Sequence, residues 1–106
     1  MDLIFHALAD RTRRDITRRT VDGGLSVSAI ARCYPISVTA IQKHVAVLER
    51  AGLVVLTRQG REQLVQSRPA TISRARSLLA EFESLWRDRL DRVDDLVKEP
   101  NAGDRK

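Results

Sequence analysis

The stretch SVTAIQKHVAVLERAGL, residues 37–53, decides the fold. Ser37 suits a helix N-cap, because its hydroxyl can accept from a backbone N–H left unpaired in the first turn. Gly52 suits a helix stop, because glycine enters the left-handed conformation without steric penalty. At about 100° per residue, Ile41, Val45 and Leu48 fall together, flanked by Ala40, His44, Val47 and Ala51. Thr39, Gln42, Lys43, Ala46, Glu49 and Arg50 fall opposite. The polar side has two readings. It is an ordinary solvated face, as in most amphipathic helices, or it meets another molecule. Its first half is short, polar or cationic, with no acid before Glu49, and Ala46 leaves room for close approach. The short helix and tight turn expected before it give helix-turn-helix spacing. In such a unit the start of the second helix enters the major groove. There Gln can pair bidentately with adenine, and Thr can meet a thymine methyl. Pattern alone leaves both readings open.

Working outward, LIFHALA (3–9) has helical spacing and predicts a short first helix. Asp10 caps a second through about Val21, stopped by Gly23 and Gly24. Ser26 caps a third, VSAIARC, ended by Tyr34 and Pro35. Residues 53–57 and 63–67 read as two strands around the turn RQGRE (58–62). Pro69 opens a long helical segment, 70–98, and residues 99–106 read as a flexible polar tail. The expected fold class is mainly α with a small two-stranded β-hairpin, a single domain over residues 1–98. Within it, 26–52 form the helix-turn-helix, 53–67 the wing, and 1–9 with 70–98 the dimerisation helices.

The chain has 106 residues, a formal charge of +5 and 31% charged residues, with a pI near 10.3. That excess suits a polyanion, without separating nucleic acid from an anionic membrane. No apolar run reaches the roughly 18 residues of a membrane span. The first ten residues show no secretion signal, so the expected location is cytoplasmic, with no membrane partner. One cysteine excludes an internal disulfide.

The segments LADRTRRDI, LSVSAIA, SVTAIQKHVAVLERAGLV, GREQLV and LWRDRLDRVDDLV, in this order, resemble ArsR-type winged-helix transcriptional repressors, over about residues 3–98. The pattern is most similar to members without metal-binding cysteines. The resemblance implies a winged helix-turn-helix fold, a homodimer and a repressor bound to double-stranded DNA at an inverted-repeat operator. It places base contacts within Ser37 to Lys43 and the wing tip at Arg58 to Glu62. The candidate DNA-binding residues are therefore Ser37, Val38, Thr39, Gln42, Lys43, Arg58 and Arg61. Several positions depart from the family pattern. Arg11 stands where Pro is usual, and Thr17, Arg19 and Thr20 where Leu is usual. Ala29 replaces a common acid, which removes a capping box. Thr39 replaces a frequent Pro and Gln42 a frequent Ser, which points to a target sequence of this chain's own.

Other residues have competing roles. Arg11, Arg13, Arg14, Arg18 and Arg19 form either a solvated face with an ion pair or two, or a phosphate-facing patch. His44 reads as a packed or hydrogen-bonded residue rather than a DNA or metal contact, and Tyr34 as packing at the turn. Cys33 reads as a small buried hydrophobe. Cys33, His6 and His44 are too few and too widely spaced for a closed metal site within one chain. No metal or cofactor is expected, and no catalytic constellation is visible. An alternative function is a winged-helix protein-interaction module without specific DNA binding.

The segment 72–97 carries an apolar stripe of Ile72, Ala75, Leu78, Leu79, Phe82, Leu85, Trp86, Leu90, Val93, Leu96 and Val97, interrupted by Arg89. A helix of this length runs roughly 40 Å, more than one small core covers. The expected dimer interface is Leu3, Ile4, Leu8, Leu79, Phe82, Trp86, Arg89, Leu90 and Val93, with Arg89 pairing with an acid or snorkelling to the edge.

Overall fold

A computed structural model describes the backbone of residues 1–101 and the side chains through Val93. The order is α1 (Asp2–Leu8), α2 (Arg11–Arg19), β1 (Leu25–Ser26), α3 (Val27–Ala31), α4 (Val38–Arg50), β2 (Val54–Gln59), β3 (Glu62–Ser67) and α5 (Pro69–Asn101). The chain divides into two units, residues 1–75 and 76–106. Among the described residues no helix is long and apolar enough to cross a membrane.

The first unit is a winged helix-turn-helix. Its caps follow the sequence closely. Side chains of Asp10, Ser26 and Ser37 accept from the N–H groups of Arg13, Ala29 and Ala40, at 3.0, 3.1 and 3.1 Å. Helix α4 ends in a Schellman motif. The Leu53 N–H donates to the Leu48 carbonyl and the Gly52 N–H to that of Glu49, both at 2.9 Å, with Gly52 at φ 77°. Leu48 and Leu53, which this motif brings together, are both fully buried. The Thr71 hydroxyl donates to the Gly52 carbonyl at 2.6 Å and ties the first turn of α5 to this corner.

The core comprises Ile4, Ala7, Ile16, Val27, Ile30, Ile41, Val45, Leu48, Leu53, Val54, Val65 and Ala75. It corrects one expected interface residue. Ile4 is only 2% exposed because it packs inward beside Ala7, so it cannot also face a second chain. Leu8 packs partly against the core, whereas Leu3 and Phe5 remain open.

The sheet has three strands rather than two, in the order β1-β3-β2 and antiparallel. The short β1 pairs Leu25 with Val65 and Ser26 with Leu64. The hairpin loop is the pair Gly60-Arg61, with Gln59 opposite Glu62. Gly60 has φ 62° while Arg61 stays negative, the pattern of a type II′ turn that matches strand twist.

Thr17 and Thr20, which stand where Leu is usual in the resembling family, are buried. The Ser67 hydroxyl donates to the Thr17 carbonyl at 2.7 Å. Its oxygen is 2.8 Å from that of Thr20. The Thr20 hydroxyl also lies within donating reach of the Ile16 and Thr17 carbonyls, at 3.0 and 3.2 Å, and with one proton on each hydroxyl either can donate across the pair. The Ser67 N–H donates to the Thr20 carbonyl at 3.0 Å. The polar end of α2 is thus matched by a polar end of β3. Helix α2 stops at Arg19, earlier than the expected Val21, with Thr20 as its C-cap.

The described part of the second unit is the remainder of α5, which runs beyond the expected 98 to Asn101. Leu79, Phe82, Leu85, Trp86, Leu90 and Val93 are exposed along it. Arg89 is exposed as well. Arg87 pairs with Glu83 at 3.5 Å. The side chains of Leu96 and Val97 lie outside the described residues, as do residues 102–106 of the expected tail.

Candidate nucleic-acid interface

Helix α4 presents the face its periodicity predicts. Ile41, Val45 and Leu48 are buried, while Thr39, Gln42, Lys43, Ala46, Glu49 and Arg50 are exposed. Val38, in the first turn, is exposed too. Ser37 is exposed but uses its oxygen to cap α4, leaving its O–H as the group free for a ligand.

Next to this helix lies a cleft of about 320 Å³, lined by Ser26, Val27, Ser28, Val38, Gln42, Arg58, Arg61, Glu62 and Gln63. It brings together four candidate residues from two distant parts of the chain: Val38 and Gln42 on α4, Arg58 and Arg61 on the wing. Strand alternation explains the wing's contribution. Val54, Leu56 and Arg58 share one face of β2. Val54 is buried and Leu56 packs against the core, and Arg58 carries the same face beyond the core to the cleft. Its register partner is Gln63. Ser37, Thr39 and Lys43 do not line the cleft; Thr39 and Lys43 occupy the open side of α4. Ser28, Glu62 and Gln63 are lining residues that sequence reasoning did not single out as contacts. Gln63 has a usable signal, because it is two residues before Val65 on β3 and so shares its face, whereas Ser28 belongs to another element and has none.

Among the described residues, Lys43, Arg58 and Arg61 have no acidic partner within 4.0 Å. Their charges are available to an anion. The arginines of α2 divide differently. Arg13 donates to the carbonyls of Ala7 (2.8 Å) and His6 (3.1 Å), and Arg14 to that of Leu8 (2.8 Å). Both satisfy the open C-terminal carbonyls of α1. Arg19 pairs with Asp15 at 2.9 Å and lies 5.5 Å from the Tyr34 ring centre. Most of the cluster is therefore structural; Arg11 and Arg18 remain on a cleft of about 340 Å³ with Thr12, Asp15 and Tyr34.

Tyr34 packs at the turn before α4, as expected, and donates its hydroxyl hydrogen bond to Asp15. Burial, then that bond to a carboxylate, pushes the phenol up to about 12. The same hydrogen bond, then that from Arg19, holds Asp15 below the usual carboxylate range. Asp10 is also lowered, chiefly by the Arg13 N–H it accepts. His44, on α4, is half-buried, with Nδ1 3.3 Å from Nη1 of Arg13 and 3.9 Å from Asp10. Cys33 is exposed, which corrects its expected burial. Helix α3 ends at Ala31, so Cys33 lies beyond the helix face that packs inward. Among the described residues no group of three or more His, Cys, Asp or Glu is placed to hold a metal ion.

Comparison with known proteins agrees with this geometry. A family model described as a helix-turn-helix domain matches residues 8–57. The HTH-type transcriptional regulator Rv2034 of Mycobacterium tuberculosis is 37% identical over 81 residues, 76% of each chain. An ArsR-like transcriptional regulator from Rhodococcus sp. RHA1 is 29% identical, with a TM-score of 0.82 over 92% of this chain and 89% of that one. The homodimeric winged helix-turn-helix DNA-binding domain Mb0332 from Mycobacterium bovis shares the fold. Its TM-score is 0.64 at 24% identity, over 78% of this chain and 77% of that one.

Proposed function

The chain belongs to the ArsR-type winged-helix transcriptional regulators and carries their helix-turn-helix DNA-binding domain, and from that premise we propose that it is a homodimeric repressor of an inverted-repeat operator. The observation that carries the DNA-reading part is the cleft that sets Val38 and Gln42 beside Arg58 and Arg61. Thr39 and Gln42 specify bases in the major groove. Lys43, Arg58 and Arg61 hold phosphates, and Ser37 adds its free O–H to the backbone contacts. The wing clamps the flanking backbone. A protein-interaction module would have no use for unpaired cations beside an open helix start.

The dimer part rests on the open apolar residues of α5, Leu79, Phe82, Trp86, Leu90 and Val93, with Leu3 of α1. Leu8, partly packed against the core, is assigned a minor share, and Arg89 reaches an acid of the second chain or the interface rim. Homodimerisation of the Mycobacterium bovis domain supports the reading. A two-fold dimer places one α4 in each of two major grooves, with half-site centres roughly 34–36 Å apart. Occupying promoter DNA in this way blocks polymerase access. This reading assigns the chain no metal or cofactor.

The test is selection of bound duplexes from a random-sequence library, followed by the stoichiometry of the winning complex. Two chains per duplex and a recovered inverted repeat are expected. An asymmetric site bound by one chain contradicts the proposal.

A further inference from the structure

One guanidinium behind the recognition helix joins three elements. Arg13 donates through Nε to the Ala7 carbonyl at 2.8 Å and through Nη2 to the His6 carbonyl at 3.1 Å, at the end of α1. Its Nη1 lies 3.3 Å from Nδ1 of His44, in the middle of α4. Arginine has only donors, so Nδ1 is the accepting nitrogen and the proton of the neutral ring is on Nε2. Asp10 Oδ2 accepts from the Arg13 backbone N–H at 3.0 Å and stands 3.9 Å from the same Nδ1. His44 follows Gln42 and Lys43 by two residues and one residue. Whatever holds its ring therefore holds the turn of α4 that carries them.

We propose that Arg13 and His44 are positioning residues for sequence reading, and that their contact aligns α4 only while His44 is neutral, so that discrimination between duplexes falls on protonation. The inference rests on the DNA-reading proposal above. A proton on Nδ1 points an N–H at the N–H of Arg13 and sets two cations about one hydrogen bond apart in a half-buried site. Asp10 Oδ2, at 3.9 Å, is at ion-pair distance but beyond hydrogen-bond reach, so the ring or the helix must shift to satisfy the new donor. The charged groups around His44 are few. Helix α2 and its N-cap supply Arg13 and Asp10. Helix α1 supplies carbonyls already held by Arg13, with the His6 side chain exposed. Helix α4 supplies Lys43, turned to solvent. Helix α3, VSAIA, has no titratable side chain, and β2 has only Arg58, at the wing.

Protonation also adds positive charge, which strengthens binding to any duplex. The informative quantity is therefore the ratio of affinities for a selected duplex and a scrambled one, in which that general term cancels. The experiment measures this ratio at about pH 8 and about pH 5.5, spanning the range in which histidines titrate. The chains compared are wild type, His44→Asn and His6→Asn. Asn places an oxygen where Nδ1 stands, accepts from Arg13 and cannot gain a proton. The selected duplex is the tightest recovered from a random-sequence library at about pH 8, and ellipticity in the same samples reports folding. The wild-type ratio is expected to fall several-fold between these two pH values. His44→Asn keeps it unchanged over the same range, and His6→Asn falls like wild type. A flat wild-type ratio overturns the proposal, as does a His44→Asn ratio that falls like wild type. So does a pH response lost in His6→Asn, since the chain has only two histidines. If His44→Asn does not fold, the wild-type and His6→Asn profiles decide. A library that yields no bound duplex removes the DNA-reading premise together with this proposal; a bound duplex with a flat ratio removes this proposal alone.

Discussion

Replacing Trp86 by Ala is expected to weaken the dimer by about three orders of magnitude. Trp86 leaves 62% of its surface open. An aromatic side chain carries roughly 150–250 Å² of area that can be buried. A second chain covering the open part removes on the order of 100–150 Å² from water, worth about 3 kcal/mol at about 25 cal/mol per Å². Alanine retains a little of this, and association never realises the full transfer value. About 2 kcal/mol per chain remains. A two-fold interface uses the residue twice, so the loss is about 4 kcal/mol, or about 10³ in dissociation constant. The assay is sedimentation velocity over a concentration series, with ellipticity as a check on folding. Asp91→Ala, about 140° around the helix from Trp86, is the control and should leave the constant unchanged. A Trp86→Ala dimer as tight as wild type would refute the reasoning, as would a wild-type chain that stays monomeric at micromolar concentration.

Two further predictions concern the first unit. Tyr34 is the only tyrosine, so tyrosinate absorbance should report a midpoint at about 12, and Asp15→Asn should lower it only part of the way, because burial is the larger cause. The sign follows: a raised phenol pKa stabilises the fold fully below pH 10, the ordinary value, and this is lost as pH rises toward 12. An unshifted midpoint in wild type would contradict the assigned contacts. Thr20→Val, which removes one buried hydroxyl but strands no donor, should cost about 0.5–1.5 kcal/mol in urea unfolding. Thr20→Leu should cost more, roughly 1–3 kcal/mol, because the site is already filled; a stabilised Thr20→Leu would show that the polar match with Ser67 is not what holds α2 to β3.

What the sequence revealed follows how local each determinant is. The bounds of α4 were legible because Ser37 and Gly52 act on the turn beside them, and its burial pattern follows from period alone. The strand β1 was not, because two residues carry no period and Leu25 and Ser26 become a strand only by pairing with Val65 and Leu64. Ser26 was read correctly as a cap, and that role hid its second one. Thr17 and Thr20 looked like weaknesses because their partner, Ser67, is 47 residues from Thr20. Periodicity marked α1 as apolar but could not say that Ile4 turns inward and Leu3 outward. In the interface, Gln42 and Arg58 were visible as chemistry; that they share one cleft, with Ser28 and Gln63 beside them, depends on how the wing folds over α3 and α4. The arginines of α2 showed their charge in the sequence but not the carbonyls of α1 that Arg13 and Arg14 occupy.

The central claim is that the exposed face of α4 reads sequence while the wing supplies charge. The direct measurement titrates wild type, Gln42→Ala and Arg58→Ala against a selected and a scrambled duplex at several salt concentrations. Gln42→Ala should cost about 1–3 kcal/mol per half-site on the selected duplex and little on the scrambled one. Arg58→Ala should weaken both alike and flatten the salt dependence by about one unit of slope per lost contact, about two per dimer. Equal weakening of both duplexes by Gln42→Ala, or no change from either substitution, would contradict the account.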